Sequence, residues 1–249
     1  MQAEVLIPHN SAYRKIINYF KSIHFINVFV KKINACRKVE INCILSGASL
    51  KKSDNVLDIG SGDGYWTNYF SKKCGTIVGI EPYQEHLRIA QNKYTGIKFV
   101  AESAEALSFK SESFDKVISV CVFEHLYNDV TAFEEMYRVL KPGGILAATV
   151  DSLNSKYISD DYKKKHIQDC YCAQLYDVDG IIMKLEKTGF KNVQANYIIG
   201  SRFGILYEKL SEKFGIFAYL TLLPLYPVIL FLESNFKQSG YKIFVTAEK

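Results

Sequence analysis

The sequence predicts an α/β fold: a doubly wound, mostly parallel, seven-stranded sheet of Rossmann-like form. Three observations carry this. From residue 55 onward, short continuous apolar runs alternate with segments of helical spacing. The first run, Val56–Ile59, opens into Gly60-Ser61-Gly62-Asp63-Gly64, too glycine-rich for a helix, and Tyr65–Phe70 resumes at helical spacing. The polar residues that interrupt the runs gather where the strands end. In open parallel sheets, that edge is where ligands bind.

Taken in order, residues 1–10 are irregular, and Asn10 or Ser11 caps a helix carrying Ile16, Phe20 and Ile23 on one face. A second helix is expected over 33–47, ending near Gly47, as packing or as a lid. Strands follow at Val56–Ile59, Thr76–Ile80, Ile97–Ala101, Phe114–Cys121 and Ile145–Val150. Helices are expected up to about Lys93 and over Thr131–Leu140, the latter stopped by Pro142-Gly143-Gly144. Residues 152–175 are too polar to assign. A helix over Asp177–Lys187 ends at Gly189, a sixth strand covers Phe190–Ile199, and Tyr241–Ala247 alternates as a seventh. The expected division is a helical cap over 1–50, the sheet domain over 51–200 and 240–249, and an insertion over 201–239.

At 249 residues the chain can bury one sizeable core, and 48% hydrophobic with 23% charged residues is ordinary for a globular protein. A net charge of +5, spread over lysine pairs such as Lys31-Lys32 and Lys72-Lys73, gives no dense basic stripe, so no nucleic-acid partner is expected. The six cysteines form no CxxC pair, which suits free thiols in a reducing, cytoplasmic compartment. His166, Cys170 and Cys172 lack the spacing of a closed zinc site, so no metal is expected.

Glu81 ends the second strand, 23 positions after Asp58 (81 − 58), where a carboxylate accepts both hydroxyls of a ribose. A nicotinamide dinucleotide would use that acid too, but its fingerprint wants a third glycine where Tyr65 stands. Asp58 at the strand–turn junction would repel a pyrophosphate and suit a cation.

The ordered set VLDIGSGDGYWT, GIEP, AESAEALSF, FDKVISVCVFEHL and RVLKPGGILAATV resembles the class I S-adenosylmethionine-dependent methyltransferases, closest to the branch acting on small molecules, quinones and lipids. The resemblance runs from about 55 to 151. It implies S-adenosyl-L-methionine as cofactor, with Asp58, Gly60, Ser61, Gly62 and Gly64 around its amino-acid end. Glu81, with Pro82 beside it, then lies at the ribose, and Ser103 and Ala104 at the adenine edge; backbone carbonyls after strand four, near Cys121 and Val122, can face the sulfonium and its methyl. The family usually places aspartate before the alanine, where this chain has Ser103; Glu102 is the neighbouring substitute. Tyr83 is a candidate for packing on adenine, and Tyr13, Tyr19 and Tyr127 for facing the sulfonium.

Methyl transfer asks mainly for alignment of donor and acceptor. His125, after strand four at the ligand edge, is the candidate catalytic base, with a structural role as the alternative. His166 lies where substrate loops belong, and Cys121 has no adjacent base to make it a nucleophile. The run Phe214–Leu232 holds 19 residues without charge (232 − 214 + 1), broken by Pro224 and Pro227. Strands six and seven must share one sheet, so a single membrane span is not expected. Two short helical arms are expected, as a shallow hairpin or as interfacial helices at the cytoplasmic membrane face. The function expected is methylation of a hydrophobic small molecule, lipid, quinone or lipid-linked glycan. Two alternatives stand: a soluble methyltransferase whose apolar segment is a lid or dimer contact, and a non-catalytic membrane-associated binding protein keeping the fold.

Overall fold

The structure, a computed structural model, describes residues 24–235 and 237–249, with side chains from residue 28. The helix expected around Ile16, Phe20 and Ile23 lies outside the described residues. Two helices, α1 (His24–Ile33) and α2 (Ala35–Ala48), precede β1 (Asn55–Ile59). Then come α3 (Tyr65–Ser71), β2 (Thr76–Ile80), α4 (Gln84–Lys93), β3 (Lys98–Val100), β4 (Phe114–Val120), a 3-10 turn (Phe123–His125) and α5 (Asp129–Val139). β5 (Leu140–Asn154), α6 (Asp160–Cys170), α7 (Val178–Thr188) and β6 (Lys191–Ile198) follow. α8 (Arg202–Phe214), α9 (Ile216–Thr221), a 3-10 turn (Leu223–Leu225) and α10 (Tyr226–Leu232) lead to β7 (Gly240–Glu248).

The strands form one sheet in the order β3-β2-β1-β4-β5-β7-β6. β1 to β5 pair in parallel, and β7 enters antiparallel between β5 and β6. The order of strand addition switches sides at β1, with β2 on one side and β4 on the other, and this switch point is where such sheets take ligands.

Alternation along the strands feeds two cores. On one face Phe133, Met136 and Val139 of α5 meet Ile181 and Leu185 of α7. On the other, Val39, Ile41 and Ile44 of α2 pack with Phe70, Ile205 and Ile229. Each such side chain, fully buried, contributes about 1.5–3 kcal/mol. α2 therefore belongs to the sheet's own packing. Its N-cap Asn34 accepts from Arg37 N–H, and its chain leaves through Ser49 in a left-handed turn (φ 46°).

Three differences from expectation have a clear physical reason. β5 begins at Leu140, because Pro142-Gly143-Gly144 is absorbed as a register shift opposite Phe114–Lys116 instead of separating helix from strand. α5 starts earlier, where the Asn128 side chain caps it by accepting from Thr131 N–H. The unassigned 152–175 holds α6, capped by Ser159, whose sequence DDYKKKHIQDC buries only His166.

Candidate active site

The turn after β1 is built from three glycines in left-handed backbone: Gly60 (φ 72°), Gly62 (φ 54°) and Gly64 (φ 78°). They differ in what surrounds them. A Cβ on Gly60 would lie 2.4 Å from Val122 Cγ2, and one on Gly64 would meet Phe99 at 2.8 Å, whereas Gly62 has nothing within 4 Å. Gly60 thus lets the segment after β4 close on the turn, and Gly62 faces open space. Ser61 N–H pairs with the Ile80 carbonyl at 2.8 Å. Its hydroxyl is buried and has no partner among the described residues.

Glu81, buried at the end of β2, holds its carboxylate across this turn. One oxygen accepts from Gly62 N–H at 2.9 Å and the other from Tyr83 N–H at 3.0 Å. Pro82 and Tyr83 beside it are exposed. Asp58 turns inward and accepts from the Thr67 hydroxyl at 2.6 Å. Burial pushes its pKa up to about 7, against the Thr67 bond, with the Glu81 charge adding to the rise. From α1, Lys31 pairs with Asp63 of the turn, which brings that helix over the glycines.

The third-strand edge is partly committed elsewhere. The Glu102 carboxylate accepts from Ser108 N–H at 3.1 Å and from the Ser108 hydroxyl. Ser103 Oγ accepts from Glu105 N–H at 3.3 Å, and Ala104 is buried in the core. Tyr127 is exposed, and Tyr13 and Tyr19 lie outside the described residues.

Beyond β4 lies a polar cluster that sequence reasoning did not assemble. Cys121, itself left-handed (φ 54°), donates its thiol to Glu40 of α2 at 2.8 Å. The Thr149 hydroxyl donates to the same Glu40 oxygen at 3.0 Å, and Arg37 reaches it at 3.2 Å. Lys242 of β7 donates to Asp151 at 2.7 Å and stands 3.1 Å from Cys121 Sγ. Burial would lower the Lys242 pKa, but Asp151, Cys121 and Glu40 hold it well above the ordinary value. His166 is clamped between Asp151 (Nε2, 2.9 Å) and Glu212 (Nδ1, 3.2 Å). Burial works against its charge, yet these acceptors raise its pKa far beyond the ordinary range, so it is held as imidazolium. Asp151, against the effect of burial, is held well below the usual carboxylate range by Lys242 and His166. Two donor sets have the proximity of a metal site, Asp151-His166-Cys172 and Cys121-Glu124-Asp151. Both use Asp151, which these two cations already occupy. Asp151 was already legible as a polar residue at the ligand edge; the signal missed was Lys242, a lysine within apolar β7.

His125 sits on the 3-10 turn with its side chain 41% exposed. Its Nδ1 is 3.4 Å from the Tyr171 carbonyl and its Nε2 is 4.0 Å from Glu124. The structure thus brings Asp58, the three glycines, Ser61 and Glu81 together in one group, with Cys121 and His125 on the neighbouring segment.

Residues 57–148 match the family described as methyltransferase domain. Among curated proteins, the chain is 34% identical over 116 residues to the erythromycin 3''-O-methyltransferase of Saccharopolyspora erythraea, covering 43% of this chain and 37% of that protein. It is 33% identical over 112 residues to the mitochondrial ubiquinone biosynthesis O-methyltransferase of Rattus norvegicus, covering 41% of this chain and 32% of that one. The chain spans about half the length, or less, of the curated relatives it matches. A solved phosphoethanolamine N-methyltransferase 2 of Haemonchus contortus, in complex with S-adenosyl-L-methionine, superposes with a TM-score of 0.67 at 19% identity, over 98% of this chain and 61% of that one. At that identity the likeness concerns the fold, which is that of the class I methyltransferases.

Proposed function

Residues 57–148 belong to the methyltransferase domain family, and from that premise we propose that the protein transfers a methyl group from S-adenosylmethionine to an acceptor with a hydrophobic body: a small molecule, quinone, lipid or lipid-linked glycan. The observation that carries the reading is the Glu81 carboxylate, anchored by Gly62 and Tyr83 N–H beside the open side of Gly62.

The residues present fit that donor. Glu81 offers carboxylate oxygens to vicinal ribose hydroxyls. Gly62 leaves free the space a Cβ would fill, and the unpartnered Ser61 hydroxyl is a polar atom in want of a ligand. When bound, the donor supplies an electrophilic methyl carbon on a sulfonium. The protein's own work is alignment and water exclusion. Val122 against Gly60 fixes the post-β4 segment on the turn, and the Lys31–Asp63 pair holds α1 over it. His125 is the proposed proton acceptor, with solvent access for the proton to leave. His125→Asn is expected to lower turnover by about 100-fold at unchanged cofactor affinity; a change of only a few-fold would return it to a structural role.

The hydrophobic acceptor is supported by the segment between β6 and β7. Ala218 and Ile229 pack inward, and the Asn34 amide donates to Tyr219 OH at 3.0 Å. On the outer side Phe203, Phe217, Leu220, Leu225 and Phe231 are exposed, next to an apolar groove of about 330 Å³ lined by Leu210, Phe214, Phe217, Ala218, Thr221 and Leu222. Among the described residues no helix is long and apolar enough to cross a membrane. Peripheral contact with a membrane face through 214–232 accords with short helices broken at Pro224 and Pro227. The names of the two relatives, which concern erythromycin and ubiquinone, accord with an acceptor of this class.

Calorimetric titration with S-adenosylhomocysteine and, separately, with NAD is the test. Saturable binding of the first alone is expected. Binding of NAD instead, or of neither, would overturn the reading.

A further inference from the structure

The buried edge beyond β4 holds more acid than it has counter-charge for. Five carboxyl groups, Glu40, Glu124, Asp151, Glu208 and Glu212, face three cationic side chains, Arg37, His166 and Lys242. Arg37 is taken by Glu40, Lys242 by Asp151, and His166 by Asp151 and Glu212. Glu124 and Glu208 are left over, and Glu124 is the more deeply buried of the two. Glu124 is 1% exposed, and neither carboxylate oxygen has a hydrogen-bond partner among the described residues. One of its oxygens lies within 4.8 Å of both Cys121 Sγ and an Asp151 oxygen. The His125 ring lies beside it, with Nε2 4.0 Å from a Glu124 oxygen. Burial, with the Asp151 charge behind it, pushes the Glu124 pKa up to about 8.

A buried carboxyl with no partner is costly, and such groups point to a ligand or an ion. The chemistry of the surroundings selects among candidates. A divalent metal would have to share Asp151 and Cys121 with the Lys242 ammonium, already 2.7 and 3.1 Å from them. An anionic group would face Glu40, Glu124 and Asp151. An alcohol brings a donor but leaves the excess of acid unbalanced. An ammonium group brings both N–H donors and positive charge. The strand order adds position. Glu81 and the glycine turn occupy the ends of β1 and β2, while Glu124 follows β4, next in the sheet, with Val122 joining the two regions.

We propose that Glu124 is a recognition group for a protonated amine on the methyl acceptor, so that the substrate class of this site is an amine carried on a hydrophobic body. This rests on the methyltransferase reading above. Methylammonium is the smallest probe of that chemistry. Thermal unfolding of the protein, saturated with S-adenosylhomocysteine near pH 8, is compared in methylammonium chloride and in sodium chloride, each at about 100 mM. Methylammonium is expected to raise the midpoint by about 3–5 °C over sodium, and by less than about 1 °C in Glu124→Gln. Equal midpoints in the two salts would overturn the proposal, as would a shift that survives in Glu124→Gln. Should that variant not fold, the salt comparison in the unsubstituted protein decides alone. Calorimetry of S-adenosylhomocysteine on the same samples reads the underlying assignment separately. Cofactor binding without a methylammonium effect removes the amine and leaves the methyltransferase; no cofactor binding removes the methyltransferase itself.

Discussion

Glu81→Ala is the most informative single perturbation, because it acts on the turn and on the donor by separable amounts. In the free protein the carboxylate accepts two backbone N–H groups, from Gly62 at 2.9 Å and Tyr83 at 3.0 Å. Hydrogen bonds to a charged group are worth about 1.5–3 kcal/mol each when fully desolvated. Exposed Tyr83 can turn its N–H to water, and Gly62 stands at an open surface. The expected stability loss is therefore nearer 1–2 kcal/mol in all, or about 3–6 °C in the midpoint of a domain this size. Loss of the ribose contact costs a further ~1.5–3 kcal/mol in binding, which is roughly 10- to 150-fold in Kd. Calorimetry should show the same factor for S-adenosylhomocysteine and for methylthioadenosine, since both carry the ribose. Glu81→Asp should fall between, being one methylene short of spanning both N–H groups. A Glu81→Ala protein that binds S-adenosylhomocysteine within about threefold of the parent would refute the ribose role.

Three further outcomes are expected. Gly60→Ala sets a Cβ 2.4 Å from Val122 Cγ2 at φ 72° and should cost about 2–4 kcal/mol, partly restored by Val122→Ala, whereas Gly62→Ala should cost about 1 kcal/mol yet weaken S-adenosylhomocysteine binding tenfold or more; melting curves and calorimetry separate the two. Burial raises the pKa of Asp58 and Glu208 to about 7 and of Glu124 to about 8. Groups raised on folding hold more protons in the native state, so their contribution to stability is intact below about pH 4 and is lost as pH rises toward 8; Glu124→Gln should flatten that decline by up to about 4 kcal/mol in urea unfolding between pH 5 and 9, and an unchanged slope would discard this account of its burial. Serine at Phe217, Leu220, Leu225 and Phe231 should release the protein from floated liposomes; intact protein that never floats would make the segment an internal lid.

The sheet was legible because its strands are continuous apolar runs closed by glycine turns, and because Asp177 and Gly189 mark the two ends of α7. α6 was not, since a helix that buries one histidine leaves no apolar period to read. The donor side of the site was legible for the same local reason: Asp58 to Gly64 and Glu81 lie within 24 residues of one another (81 − 58 + 1). The cluster beyond β4 was not, because Cys121 meets Glu40 across 81 positions and Lys242 across 121. Glu102 shows the converse limit. Its place beside Ser103 was legible, but its commitment to Ser108 depends on how the loop folds back.

The placement of β7 also governs the order in which the molecule can be made. It lies between β5 and β6, so β6 has no sheet partner until residues 240–248 are available. During synthesis, α7, β6 and the apolar arms emerge from the ribosome before the strand that will hold them. Until then β5 has a bare edge and Asp151 has no lysine. Pairing of such sequence-distant strands is slow and leaves sticky intermediates. A nascent chain stalled before residue 240 is thus the species most in need of a chaperone, and the uncharged 214–232 segment is the surface a chaperone would grip.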